Sequence, residues 1–300
     1  MKTSSLIILL FFLGATLASA QSSVNYGSLS WSRDGKKILF SSIEVRPDWS
    51  DFSPFNWKLY VYDLNRNHLQ LVDNAAMFGA FSPDGRQVAY SKNTGVSWDL
   101  YIKDLTSGEK RKITDTPYKE SAPDWSPDGR MIVFSRNLKK DVTSIYSMDT
   151  QGNNERNLTR NGKFEFHNPE FSQDGNHIVY YMERGDKKDQ VYVMELRSGF
   201  SQNITRDLNH NNYPGWFDDR TLVYTRGNNE LVLKPIEGGA AIPIEGIQSY
   251  LAKYNPAQKE IAYISREDQS IYIQKLKGRP GRLKMGKALQ VISPETLRGK

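Results

Sequence analysis

A six-residue turn motif recurs along the chain and constrains its fold more than any other feature. The clearest copy is Trp125–Arg130, Trp-Ser-Pro-Asp-Gly-Arg, which is followed by the apolar run Met131–Phe134. Proline presets φ for the second position of a type I turn, and aspartate tolerates the backbone conformation of the third position. Glycine supplies the left-handed residue that follows. Each copy therefore predicts the turn of a β-hairpin.

Four well-preserved and two degraded copies begin at Trp31, Phe81, Trp125, Phe171, Trp216 and Tyr254, at spacings of 50, 44, 46, 45 and 38 residues. Each repeat holds four strand-like segments: a lead-in, an apolar run, an aliphatic residue followed by tyrosine in most copies, and a short edge segment. Short apolar runs between turn residues are typical of buried strands. The repeats predict an all-β fold, a six-bladed β-propeller of four-stranded antiparallel blades.

The fourth strand-like segment of the last repeat lies in the C-terminal part of the chain. Leu289–Ile292 resembles Leu69–Val72, but it follows its tyrosine at a longer interval, so we expect an insertion of about seven residues within 277–288. The predicted propeller thus occupies residues 21–293, and residues 294–300 form a short tail.

The first twenty residues have the pattern of a secretory signal. Lys2 is the positive start, Leu6–Leu13 is the apolar core, and Ala18–Ala20 is a small-residue cleavage site. The apolar core has less than half of the ~20 residues that a spanning helix needs. We expect cleavage after residue 20, a periplasmic or secreted location, and no transmembrane segment in the mature chain.

Cysteine and charge exclude several classes of site. The chain has no cysteine, which rules out disulfides, thiol catalysis and thiolate metal ligands. The formal net charge of +6 is concentrated in residues 275–300, which carry eight basic residues and one acidic residue. The protein is therefore a near-neutral body with a basic C-terminal segment.

The repeat resembles the WD40-like, TolB-type propeller repeat. Residues 125–159 carry the resemblance nearly throughout, from the turn motif through Tyr146–Asp149 to Leu158 and Thr159, and the whole of 24–293 follows it. The family includes the periplasmic TolB protein of the Tol–Pal envelope system and the non-catalytic propellers of some serine peptidases. TolB carries an α/β domain before its propeller, so this chain is expected to be a propeller-only relative.

In propellers of this family, one face of the central channel carries the residues that lie four positions before each turn motif. In this chain these residues and their neighbours form a mixed polar and aromatic channel ring, suited to a ligand or a peptide end. The ring consists of Tyr26, Gly27, Met77, Glu120, Ser121, Phe166, His167, Asn211, Asn212 and Tyr250. The alternative is that these residues only close the channel.

Two histidines raise an enzymatic alternative. His167 and His210 precede consecutive repeats on the predicted channel face and, with Glu120, suit a metal site or an acid–base group. Their spacing matches no metal motif, and we expect no metal and no cofactor. The competing function is a hydrolase or lyase that acts on peptide or glycan at the channel mouth.

Two further segments differ between repeats. The loop 42–56 carries Trp49, Phe52 and Phe55, which predict a contact with a partner or glycan, unless the loop folds back onto its own blade. The basic insertion contains Lys277, Arg279, Arg282 and Lys284, which suit anionic lipid, nucleic acid or an acidic partner, unless they form only a solvated loop.

The repeats occupy the chain and leave no catalytic motif. Neither a Gly-x-Ser-x-Gly elbow nor a glycine-rich phosphate loop occurs. We therefore predict an exported, non-catalytic propeller that binds a protein or peptide, with a glycan as a further possible ligand. No nucleic-acid partner is expected, since the basic insertion lacks the aromatic residues on which bases stack.

Overall fold

The computed structural model of the protein describes residues 22–160, 162–185, 187–278 and 280–298. The predicted signal segment 1–20 and Arg279 of the basic insertion lie outside the described residues. The described part contains 24 strands, a 3₁₀ turn at Pro54–Asn56 and one short helix, α1, at Pro294–Leu297. The all-β class is confirmed, and none of the helices in this part is long and apolar enough to cross a membrane.

Three groups of four strands form separate antiparallel sheets, each a meander in chain order. The first comprises β1 to β4, at Ser23–Trp31, Lys37–Val45, Lys58–Asp63 and His68–Asn74. The second comprises β17 to β20, at Asn211–Asp218, Thr221–Arg226, Glu230–Pro235 and Ile242–Gln248. The third comprises β21 to β24, at Ala252–Asn255, Glu260–Ile264, Ile271–Lys277 and Lys284–Ile292.

The intervening strands form one 12-stranded sheet, which differs from the predicted separate four-stranded sheets. These strands are β5 to β16, at Ala76–Phe81, Gln87–Asn93, Trp98–Asp104, Lys110–Lys112, Lys119–Trp125, Met131–Lys139, Val142–Asp149, Arg156–Asn157, Glu165–Phe171, His177–Arg184, Lys187–Glu195 and Ser201–Asn203. Two parallel residue pairs, Trp98 with Lys119 and Thr143 with Glu165, join three antiparallel groups of four. Each parallel pair joins the third strand of one group to the first strand of the following group. These two strands begin side by side and run in the same direction.

Side-chain hydrogen bonds explain why the turn motif recurs. The Ser126 hydroxyl donates to Asp128 Oδ1 at 2.6 Å and accepts from the Met131 N–H at 2.9 Å. Asp128 Oδ1 also accepts from the Arg130 N–H at 3.0 Å, and Gly129 has φ +73°. Serine and aspartate thus satisfy the backbone donors of the turn, while glycine adopts a backbone conformation that costs other residues energy.

The first strands of the groups lie side by side around a central space, here called the channel. The Trp125 indole donates to the Ala80 carbonyl at 3.2 Å, and the Trp216 indole donates to the Glu170 carbonyl at 3.1 Å. Trp31 donates likewise to the Lys253 carbonyl at 2.9 Å, so β21 adjoins β1 and the circle closes. We call the channel end with the turn motifs the turn face, and the opposite end the loop face.

The tyrosines of the third strands pack against the second strands of their own sheets. In five groups each stacks on an aromatic residue of the second strand, with ring centroids 5.7–6.1 Å apart. The two ends of the described part also meet in this core, because Leu297 of α1 is buried in the cluster that contains Val24 and Tyr26. Burial of apolar side chains between neighbouring sheets therefore holds the circle together without disulfides.

Candidate functional site

A bulge in the first strands shapes the channel wall. The antiparallel register shifts within β1, β5, β9, β13 and β17, between the predicted ring position and the turn motif. Four residues at these shifts, Phe78, Ala122, Asn168 and Tyr213, have φ between 49° and 52°. A bulge bends a strand and redirects its side chains, so the two ends of each first strand present different residues to the channel.

Strand alternation divides the predicted channel ring into two sets. Tyr26, Glu120, Phe166 and Asn211 are buried inside the sheets. The neighbouring residues, Gly27, Met77, Ser121, His167, Asn212 and Tyr250, are half-buried. Because successive side chains of a strand point to opposite sides, only the second set retains a solvent-accessible position.

Glu120 belongs to a buried ion-pair network rather than to a histidine site. Its carboxylate has no exposed surface and accepts from Arg136 Nε at 2.8 Å and from the Thr116 hydroxyl at 2.6 Å. The Arg136 guanidinium also pairs with Glu155 at 2.6 Å and lies 4.6 Å from the Tyr146 ring centroid. Burial raises the pKa of Glu120, which Thr116 and Arg136 oppose. These contacts indicate a structural role.

The two histidines face different carboxylates. His167 Nε2 lies 3.7 Å from Glu165 Oε2 and 3.9 Å from Glu183 Oε2, and its ring packs on Tyr181. Burial lowers the pKa of His167 to about 4, so its imidazole is neutral at pH 7. His210 Nδ1 instead lies 3.0 Å from Asp189 Oδ2. The predicted group of Glu120, His167 and His210 therefore does not share one set of contacts.

Other members of the channel ring make packing contacts. Met77 packs on a small cluster formed by Ile43, Val45 and Trp57. The Tyr250 hydroxyl donates to the Tyr26 carbonyl at 3.3 Å. Phe166 packs edge-to-face on Tyr180, and the Asn211 amide donates to Asp207 Oδ1 at 2.8 Å and to the Asn209 carbonyl at 2.9 Å.

The aromatic loop folds back in part and leaves two of its aromatic side chains exposed. Trp49 packs on its own sheet and lies 5.6 Å from the Phe52 ring, as expected for a loop that folds back. Phe52 and Phe55 remain 40% and 52% exposed, and Phe55 borders a cavity of about 330 Å³ beside Tyr60 and Leu297. The loop lies on the loop face, so its exposed aromatics are available to a partner on that side.

The basic insertion extends a hairpin. β23 and β24 continue pairing to Lys277 and Lys284, and the chain reverses through the residues between them. Lys277, Arg282 and Lys284 are all exposed. These three described residues therefore place positive charge on the turn-face side.

The structure adds a charged pocket that the sequence analysis did not select. A cavity of about 200 Å³ opens at the turn face, and its lining includes Asp124, Glu170 and Lys253. The Lys253 ammonium pairs with Glu170 and donates to the Pro214 carbonyl at 3.0 Å. The Glu170 carboxylate also accepts from the Trp216 N–H at 3.1 Å. We call these three residues, on β9, β13 and β21, the channel triad.

The carboxyl group of Asp124 has a raised pKa. Its Oδ2 atom accepts from the Phe171 N–H at 2.8 Å. Burial and repulsion from Glu170 nevertheless raise its pKa to about 7, against the opposing effect of Phe171 and Lys253. A positive group that enters the pocket would favour the ionised carboxylate, so this site is suited to binding a cation.

A periodic signal could have identified the channel triad. Each of its members directly precedes the aromatic residue that opens a turn motif. Because that aromatic points into the sheets, the preceding residue must point into the channel. The equivalent residues are Ser30, Ala80, Asp124, Glu170, Gly215 and Lys253, and three of the six are charged.

Comparisons with known proteins agree with this architecture. A model of the TolB beta propeller domain family matches residues 50–241. A Bacillus subtilis protein named uncharacterized peptidase YuxL is 48% identical over 59 residues, 19% of this chain and 9% of its own length. The Tol-Pal system protein TolB of Francisella tularensis subsp. mediasiatica is 32% identical over 105 residues, 33% of this chain and 24% of its own. The chain thus spans a quarter or less of these curated relatives.

A solved structure shows the same fold at low sequence identity. The crystal structure of TolB from Acinetobacter baumannii has a TM-score of 0.64 and 17% identity to this chain. The similarity covers 89% of this chain and 63% of that one.

Proposed function

Because the chain belongs to the TolB beta propeller domain family, we propose that it is a non-catalytic binding module for a protein or peptide partner. Its strands form six four-stranded blades around the channel. The six regularly spaced turn motifs and the closed circle of first strands support this blade count. Residues 1–20 act as a signal peptide, and the module works in the periplasm or outside the cell.

The pocket that contains the channel triad is the observation that carries this proposal. It is bordered by residues of several turn motifs, and strands from several repeats contribute to it. Trp31, Phe81 and Trp125 are among the residues that border it beside the charged groups. Apolar walls with a few convergent polar groups are typical of a binding pocket.

The size of the pocket favours a peptide over a large ligand. Its volume of about 200 Å³ is below the roughly 300–1,000 Å³ of pockets that enclose drug-sized ligands. One side chain or a chain end fits such a volume. Since Glu170 already holds Lys253, we assign Asp124 as the acceptor for an amine or guanidinium of the partner.

The loop face provides a second contact surface under this proposal. Phe52 and Phe55 are exposed there, on the side of the molecule opposite the channel triad. Exposed aromatics anchor many protein interfaces because they bury large apolar areas at a small entropic cost. The name of the Francisella relative, a Tol-Pal system protein, supports a partner in the cell envelope.

Affinity capture from an envelope extract tests the proposal. The mature chain is compared with Asp124→Asn, with the Phe52→Ala/Phe55→Ala pair, and with the control His68→Ala, which alters an exposed residue of β4. We expect Asp124→Asn to reduce recovery of the partner at pH 8 and His68→Ala to leave it unchanged. Equal recovery by all four proteins would overturn the site assignment, and turnover of peptide or glycan by the wild type would overturn the non-catalytic function.

A further inference from the structure

We propose that Glu165, His167 and Glu183 form a binding site for one divalent transition-metal ion of the zinc or manganese type. One ligand atom from each residue lies within 4.8 Å of the other two. His167 Nε2 is 3.7 Å from Glu165 Oε2 and 3.9 Å from Glu183 Oε2. Ligands about 2.1 Å from a tetrahedral metal lie about 3.4 Å apart, so small side-chain rotations complete the site.

The β-ladder fixes the three side chains on one side of the sheet. Glu165 and Glu183 are directly paired across β13 and β14, and His167 is paired with Tyr181. Residues two apart on a strand have side chains on the same face, so the side chains of Glu165 and His167 lie on one face of the sheet. The side chain of Glu183 lies on that face too, because Glu183 is paired with Glu165. The site is therefore built on two rigid strands rather than on a loop.

The charges around the site call for a cation. Two glutamates directly opposite each other on neighbouring strands repel, which destabilises an antiparallel ladder. His167 Nε2 lies beyond hydrogen-bond distance of the nearest oxygen of Glu165 and of Glu183. A metal ion would offset this repulsion and give the imidazole a partner.

A buried hydroxyl orients one of the ligands. Thr143, which is 3% exposed, donates its hydroxyl hydrogen bond to Glu165 Oε2 at 3.1 Å. The Asn137 amide in turn donates to Thr143 Oγ1 at 3.1 Å. Outer contacts of this kind hold metal ligands in position and contribute to affinity.

One imidazole and two carboxylates select the class of metal. Imidazole suits zinc and other late transition metals, whereas carboxylates also suit manganese. Calcium prefers a set of oxygen ligands, so His167 argues against it. This proposal reverses the sequence-based expectation that the chain holds no metal. It is independent of the peptide-binding proposal, since the site lies near the loop face and the channel triad lies near the turn face.

Calorimetric titration of the metal-free mature chain with ZnCl₂, MnCl₂ or CaCl₂ tests the site. We expect one equivalent of zinc or manganese to bind and calcium to bind far more weakly. His167→Ala or Glu183→Gln should lower the affinity by at least about 100-fold, and Thr143→Val by about tenfold. The matched control His210→Ala should leave the affinity within about twofold, because His210 faces Asp189.

Thermal unfolding separates lost ligands from lost folding. Without metal, Glu183→Gln should melt no lower than the wild type, since the amide has the same shape and removes the repulsion with Glu165. Added metal should raise the melting temperature of the wild type and not of this variant. Absence of stoichiometric binding to the wild type, or equal binding by His167→Ala and the wild type, would overturn the proposal.

Discussion

The raised pKa of Asp124 makes the stability of the protein depend on pH in an unusual direction. An aspartate normally titrates near 3.8, whereas Asp124 titrates at about 7 in the folded chain. The folded state therefore binds a proton more tightly than the unfolded state, and stability falls as pH rises between these two values. Replacing Asp124 by asparagine removes this loss of folding stability at high pH. The asparagine side chain keeps a carbonyl oxygen that can accept a hydrogen bond from the Phe171 N–H.

The magnitude follows from the size of the shift. A change of about three pKa units corresponds to about 4 kcal/mol at 1.36 kcal/mol per unit. Asp124 is only half-buried at the pocket, and solvent screens its charge, so we expect a measured effect of about 2 kcal/mol. In urea unfolding at constant ionic strength, Asp124→Asn should match the wild type near pH 4 and exceed it by that amount at pH 8.

A neighbouring aspartate provides a control with the opposite sign. The Ser126 hydroxyl and the Arg130 N–H lower the pKa of Asp128, so its contribution is present above its ordinary pKa and lost as pH falls. Asp128→Asn should therefore be less stable than the wild type at pH 8. The reasoning about Asp124 is refuted if Asp124→Asn is no more stable than the wild type at pH 8, or if both variants respond to pH alike.

Three further predictions concern stability and are measured by urea unfolding at pH 7. Arg136→Met should cost about 3–5 kcal/mol because it leaves Glu120 buried without its ion-pair partner; Lys36→Met, at an exposed pair, should cost less than about 1 kcal/mol. Thr159→Val should cost about 1–3 kcal/mol because its hydroxyl accepts from the buried Ile145 N–H at 2.9 Å. Leu297→Ala should cost about 2–5 kcal/mol if α1 closes the core of the first sheet, and a loss under about 0.5 kcal/mol would contradict that packing.

Much of the fold could be predicted because its determinants are local and repeated. The serine, aspartate and glycine of each turn satisfy their own backbone, so the motif at Trp125–Arg130 shows its structure in a few residues. The closing Leu-Thr of the repeat has an equally local reason. Hydroxyls of Thr114, Thr159 and Thr205 accept from backbone N–H groups of the third strands, which ends the fourth strand early.

The site was harder to predict because it depends on the register of paired strands and on contacts between repeats. Glu120 was selected for its position, but its partner Arg136 lies on the next strand, and their pairing places Glu120 in the interior. The ligands of the proposed metal site come from two strands whose register fixes which glutamate lies opposite which. The channel triad joins three repeats, so only the circle of first strands brings Glu170 to Lys253.

Site-specific photocrosslinking tests the central claim, that the turn-face pocket holds the partner, most directly. A photoreactive amino acid replaces Gln173, which lines the pocket, or Leu208, which is 90% exposed toward the loop face. Irradiation of cells that produce each protein is followed by detection of adducts. We predict a discrete partner adduct from position 173 that Asp124→Asn weakens. An adduct from position 208 alone, or one from position 173 that Asp124→Asn does not change, would contradict the account.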